Sequence, residues 1–163
     1  MNKQKKKNRI KKIVINTGVG RFSQQANFEE KILPEIAKEL SLISGQKPAA
    51  CQTKKSIAGF KTRAGQIVGL KVTLRRRRMN DFLKRLINVV FPRLRDFRGI
   101  SLKNVDENGN LNIGLKEQFV FSEVDQDSSK IDFGLEISIV SDVKDREQAI
   151  ELYRSLGIPL KKS

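Results

Sequence analysis

The chain has 163 residues, 38% of them apolar, with 33 Lys or Arg against 18 Asp or Glu, a formal net charge of +15, no His and one Cys. Its length allows one folded core without disulfides, the single thiol excludes an internal disulfide or a zinc site, and the lack of His excludes histidine acid–base catalysis, His-based nucleophile pairs and His-ligated metal. No apolar run approaches the roughly 20 residues of a membrane-spanning helix, so a soluble chain with no membrane partner is expected.

Residues 1–10 read as a basic tail, disordered when free. Seven of the first twelve residues are Lys or Arg, which suits a tail lying on phosphate. Only Ile13, Val14 and Ile15 follow before Asn16, so the apolar core of a signal peptide is missing and an intracellular place is expected. Residues 11–163 read as a single domain. Residues 11–17 alternate as a strand, with Ile13 and Ile15 on one face and Lys12, Val14 and Asn16 on the other. Gly18 and Gly20 end it. A helical region is predicted over 28–44, with Asn27 and Glu30 spaced as a capping box. Pro34 conflicts with one continuous helix, so a short turn is expected first, with Pro34 in the first turn of the main helix. Gly45 is the natural C-terminal cap.

Residues 49–53 read as a short strand and 54–66 as a long loop. Cys51 reads as a small buried residue, with no His to activate it. Residues 67–75 form the clearest strand, Leu70, Val72 and Leu74 opposing Lys71, Thr73 and Arg75. A helix is predicted over 81–91, capped by Asn80 and stopped by Pro92. Short strands are expected at 111–113, 119–121 and 133–140, with a turn at Asn108-Gly109. The last helix is predicted over 146–156, capped by Asp145 with Gln148.

These elements predict an α+β fold, a two-layer sandwich of a mostly antiparallel sheet with helices on one face and the other face open. The charge is placed unevenly. Residues 1–39 carry a net +6, residues 40–80 a net +10 with no acid at all, and residues 81–163 a net −1. Such a face is expected to meet a polyanion. Lys12, Asn16, Lys71, Thr73 and Arg75 fall on the open face, and Arg76, Arg77 and Arg78 follow. Amides and hydroxyls among cations suit RNA sugar edges and phosphates. The loop adds Lys54, Lys55, Ser56, Lys61 and Arg63. Ile57 and Phe60 lie between the cations, and Phe60 is positioned either to stack on a base or ribose or to fold back on the core.

Enzyme signatures fail. Gly18-Val19-Gly20 follows a strand, but residue 23 is Ser, so the dinucleotide fingerprint is broken. No Walker-type phosphate loop occurs. Asp125 and Asp127 sit among Gln126, Ser128 and Ser129 and read as solvated turn residues. No catalytic residue, metal, cofactor or small-molecule substrate is expected.

Seven blocks carry a family resemblance: KIVINTGVG at 12–20, LISGQKP at 42–48, KKSIAGFKTRAG at 54–65, GLKVTLRRRRM at 69–79, FPRLRDFRGIS at 91–101, GNLNIGLKEQ at 109–118 and LGIPL at 156–160. Over residues 11–160, in order and spacing, the chain resembles the large-subunit ribosomal protein family that binds 5S rRNA. The resemblance implies a structural, non-catalytic role in the central protuberance of the large subunit, on cytoplasmic or organellar ribosomes. It implies that Asn16, Gln46 and Thr73 are the amide, amide and hydroxyl that contact 5S rRNA. It implies that the 54–65 loop reaches the peptidyl-site tRNA, and that 23S rRNA, neighbouring large-subunit proteins and a small-subunit head protein are further partners. Family members begin with a helix of about twenty residues. Here only MNKQKKKNRIK precedes the first strand, and the lysine tail is expected to replace that helix electrostatically. The arginine run is more basic than is usual in the family. A free-standing RNA-binding regulator or chaperone using the same face is the alternative reading.

Overall fold

A computed structural model describes residues 10–162. The expected basic tail therefore lies outside the described residues, save Ile10, which is already strand. The elements are β1 (Ile10–Gly18), α1 (Leu33–Ser44), β2 (Ala49–Gln52), β3 (Ile67–Leu74), α2 (Arg76–Arg85), the single turn α3 (Phe91–Arg93), β4 (Leu111–Leu115), β5 (Leu135–Ser141) and α4 (Arg146–Ser155). The strands form one mostly antiparallel sheet in the order β2-β3-β1-β5-β4, and with the helices they make the α+β two-layer sandwich expected from the pattern. No described helix is long and apolar enough to cross a membrane.

By contact density the chain divides into two compact units. A hairpin unit holds residues 14–73 and 114–137. A C-terminal unit holds the described residues through Ile13 together with 74–113 and those from 138 onward.

In the hairpin unit, Ile15, Ile36, Leu40, Ile43, Leu70, Val72, Phe121 and Phe133 are buried. Burying each such side chain contributes roughly 1.5–3 kcal/mol before conformational entropy is counted. Pro34 stands in the first turn of α1, as expected, where its missing N–H leaves no bond unmade. A wide turn over Phe28–Ile32 leads into it. The capping box does not form. Asn27 takes a left-handed φ of 62° and its side chain makes no cap bond, whereas an N-cap side chain needs extended backbone to reach the helical N–H groups. Gly45 closes α1 at φ 72°, its N–H donating to the Ser41 carbonyl at 2.8 Å. The strand expected at 119–121 is instead a tight turn over Gln118–Val120, because fully buried Gln118 turns inward and takes its partners from residues 129–133. Cys51 is a free thiol but only half-buried. It belongs to short β2, whose other three residues are exposed, so that strand has no core face to bury it.

In the C-terminal unit, Leu74, Met79, Phe82, Leu86, Phe91, Ile139 and Tyr153 are buried. Asp145 caps α4 as predicted, accepting from the Gln148 N–H at 2.9 Å. Gly109 turns at φ +76°, where a Cβ would lie 2.2 Å from the Val143 carbonyl oxygen, so this turn admits only glycine. The helix predicted over 81–91 begins five residues early, at Arg76, and Asn80 lies inside it rather than capping it. Met79 extends the buried stripe of Phe82, Leu83 and Leu86 back by one turn, and that burial outweighs the missing cap. A wide turn over Leu86–Val90 carries α2 into α3, which ends one residue past Pro92.

Candidate nucleic-acid interface

In the hairpin unit, strand alternation separates two sets of side chains. Ile15, Thr17, Leu70 and Val72 are buried; Lys71 is exposed and Asn16 and Thr73 are half-buried. The Val19 N–H donates to the Val68 carbonyl at 2.9 Å, while the Thr17 carbonyl approaches Gly69. Those two contacts advance in opposite directions along neighbouring β1 and β3, so the strands are antiparallel. An unbroken ladder from that bond sets Asn16 across from Lys71 and Val14 across from Thr73. It also sets Ile15 across from Val72, both of them buried.

Gln46 joins this set from a different element. Its Nε2 donates to the Thr73 main-chain carbonyl at 3.3 Å. Its own N–H donates to Ser44 Oγ at 3.3 Å. Ser44 Oγ in turn lies 2.7 Å from the Leu40 carbonyl and 2.9 Å from that of Gln46, and its one proton serves one of them at a time. The left-handed Gly45 and buried Ser44 therefore aim Gln46 at β3. Sequence reading missed Ser44, although a Ser followed by a cap glycine is a recognisable signal for local side-chain to backbone bonding.

The long loop is an ordered hairpin tip. Thr53 N–H donates to the Gln66 carbonyl and Gly65 N–H to that of Thr53, both at 2.9 Å. Thr53 Oγ1 donates to the Arg63 carbonyl. Further out, Ile57 and Thr62 form an antiparallel bridge, and Ser56 Oγ accepts from the Ala64 N–H at 2.9 Å. Ser56, grouped with the loop cations from sequence, thus has a role in holding the loop's shape. The tip is a single turn, Ala58–Phe60, closed by Lys61 at a left-handed φ of 51°. Phe60 does not fold back on the core: it is 75% exposed, and Ile57 is 49% exposed. Lys54, Lys55, Lys61 and Arg63 are all exposed around them.

In the C-terminal unit, Lys12 is half-buried on β1, and Arg75, Arg76, Arg77 and Arg78 are exposed. The arginines do not continue a strand row. Arg75 is extended, at φ −137° and ψ 158°, and precedes the helix. Arg76 has a left-handed φ of 55°. Arg77 and Arg78 follow in the first helical turn, where successive side chains point about 100° apart. The run therefore spreads its charge around a helix end instead of along one sheet face. Arg77 pairs with Asp81 at 3.8 Å, but the two side chains are 95% and 58% exposed, so the contact is worth little. Among the described residues no cluster of His, Cys, Asp or Glu is arranged to hold a metal.

The chain matches two family models in tandem, one described as Ribosomal protein L5 over residues 5–63 and one for the C-terminus of the same ribosomal family over residues 67–160. It is 49% identical to a large ribosomal subunit protein uL5 of Lacticaseibacillus casei (strain BL23) over 154 residues, covering 94% of this chain and 83% of that protein. Similar proteins of the same name occur in Malacoplasma penetrans (strain HF-2), 48% identical over 95% of this chain and 81% of the relative, and in Syntrophomonas wolfei, 46% identical over 94% and 84%.

Proposed function

The chain belongs to the ribosomal protein L5 family, a structural, non-enzymatic constituent of the large ribosomal subunit, and from that premise we propose that its hairpin unit docks on 5S rRNA. Asn16, Gln46 and Thr73 set the docking position, and Lys71 holds phosphate beside them. The observation that carries this reading is the Gln46 to Thr73 bond. It brings together, from a helix cap and a strand, two residues that composition gives no reason to connect. In the C-terminal unit, Lys12 and Arg75–Arg78 supply backbone charge, and 23S rRNA is a further partner.

The basic hairpin tip meets the peptidyl-site tRNA. Exposed Phe60 is available for stacking on a base or ribose, and Lys54, Lys55, Lys61 and Arg63 surround it. Neighbouring large-subunit proteins and a small-subunit head protein complete the partners, in the central protuberance of the cytoplasmic ribosome. The free-standing regulator gives way to this role because the family is a subunit constituent.

Binding of the full chain to 5S rRNA across a salt series tests the division of labour. Asn16→Ala and Thr73→Ala are expected to weaken binding without changing the salt slope, because they remove positioning groups. Arg76→Ala is expected to lower the log–log slope by roughly 0.7–0.9, one phosphate's worth of released counterions. If all three variants bind like the parent at every salt concentration, the assignment is wrong.

A further inference from the structure

The second half of the chain is balanced only as a total. Residues 82–105 and 152–162 together carry nine Lys or Arg and a single acid, Asp96, whereas residues 106–151 carry four Lys or Arg and twelve Asp or Glu. The two basic stretches are far apart in sequence, and the C-terminal unit brings them side by side.

Ile100 and Leu160 form a parallel bridge. The Ile100 N–H donates to the Pro159 carbonyl at 2.8 Å, and the Lys161 N–H donates to the Ile100 carbonyl at 2.9 Å. Gly99 permits this approach. Its φ is +97°, and a Cβ there would stand 3.2 Å from the Pro159 oxygen, 3.3 Å from the Lys161 nitrogen and 3.4 Å from Lys161 Cγ. The stem of Lys161 therefore passes over Gly99, next to Arg98. At the other end of the loop, the Phe97 ring stacks on buried Phe91, centroids 5.4 Å apart and planes 2° from parallel. Arg154 reaches the same corner, its Nη2 donating to the Lys161 carbonyl at 3.2 Å and the Lys162 carbonyl at 3.4 Å.

Arg93, Arg95, Arg98, Arg154, Lys161 and Lys162 are exposed, and among the described residues none of them forms an ion pair with a carboxylate. Like charges gathered on fixed backbone repel one another, and a polyanion reverses that repulsion. Four of the six are arginines, whose planar forks match phosphate oxygens. No exposed aromatic and no row of amides accompanies them, so the patch can grip a backbone but not read bases.

We propose that this corner, built from the 93–99 loop and the 154–162 segment, is a second RNA-backbone site, separate from the residues assigned to 5S rRNA. It rests on the ribosomal role above but not on the roles given to Asn16, Gln46 and Thr73. The test is binding of the full chain to protein-free 23S rRNA and, separately, to 5S rRNA, each across a salt series. The patch variant is Arg95→Gln, Arg98→Gln, Lys161→Gln. A charge-matched control is Lys116→Gln, Lys130→Gln, Lys144→Gln, three exposed lysines of the acidic stretch.

The patch variant is expected to lower the 23S slope by about 2–3, for three phosphates lost, while its 5S affinity stays within twofold. The control should move neither. An unchanged 23S slope overturns the proposal, as a dock for an acidic protein would predict. So does a fall in 5S affinity matching that of Asn16→Ala, or an equal slope loss in the control. Should the triple variant fail to fold by thermal unfolding, Arg98→Gln alone replaces it, with an expected slope loss of about 0.7–0.9. A normal 5S affinity for Asn16→Ala would instead refute the earlier reading and leave this one standing on its slope.

Discussion

Gln46 Nε2 donates to the main-chain carbonyl of Thr73 across 3.3 Å, joining residues 27 positions apart in the chain. The bond ties the turn after α1 to the penultimate residue of β3. A backbone carbonyl, unlike a side chain, cannot move away without disturbing its strand, so it makes a rigid anchor. Gln46→Leu keeps the approximate shape and removes the donor. It should cost about 1 kcal/mol of stability and weaken 5S rRNA binding about tenfold with an unchanged salt slope, the equivalent of roughly 1.4 kcal/mol. Urea unfolding and filter binding on the same preparation would expose a purely structural role, in which stability falls and affinity does not.

The hairpin tip should be separable from the sheet face. Lys55→Glu with Lys61→Glu is expected to leave 5S binding intact and to impair tRNA retention in the peptidyl site of reconstituted ribosomes. Phe60→Ala should behave the same way while changing stability by less than about 0.5 kcal/mol, as expected for an exposed side chain away from the core. Loss of 5S affinity as large as that of Thr73→Ala would refute the assignment.

Gln118 is expected to be a stability hub with no direct part in binding. Its side chain is fully buried. Oε1 accepts from the Phe133 N–H at 3.1 Å, and Nε2 lies 2.6 Å from the Ile131 carbonyl and 3.1 Å from Oε2 of buried Glu39. Gln118→Leu strands all three partners and should destabilise by roughly 2–4 kcal/mol, since an unpaired buried polar group costs about 1–3 kcal/mol and a charged one more. Adding Glu39→Leu should recover part of the loss, because the uncompensated carboxylate is then gone. Denaturant midpoints of the single and double variants measure this, and a double variant weaker than the sum of the singles would contradict it.

Tyr153 gives a pH signature. Its hydroxyl lies 2.7 Å from the Gly109 carbonyl and 3.0 Å from the Ile139 carbonyl. Burial is the main cause that pushes its pKa from 10.0 to about 12, with Asp106 adding to the rise and the Ser141 hydrogen bond opposing it. Above pH 10 the unfolded chain releases the phenol proton while the folded chain keeps it. Stability from this group is therefore intact below pH 10 and is lost as pH rises toward 12, by about 3 kcal/mol in all. Tyr153→Phe should show a flatter decline over that window than the parent. Parallel curves would mean the phenol titrates normally.

Much of the architecture was legible because it rests on periodicity. The alternation of Leu70, Val72 and Leu74 against Lys71 and Thr73, the Gly45 cap, Pro34 in a first turn and the Asp145 cap of α4 are local properties, decided within a few residues of chain. The errors have local causes too. Arg76, Arg77 and Arg78 looked like a strand's end, yet Met79 had the right spacing to extend the buried stripe of α2. Asn27 had the right spacing for a cap and the wrong backbone conformation for it.

The candidate site divides along the same line. Which residue types are present, and the absence of acid from 40–80, belong to the sequence, because charge is a property of side chains wherever they lie. Which of them meet was decided by tertiary contacts. Gln46 reaches Thr73 only after α1 and β3 have packed, and Arg98 meets Lys161 only because Gly99 lets a segment some sixty positions later lie against it. Such pairings depend on closing long loops, whose free energy comes from burial across the whole unit and leaves no mark at either position.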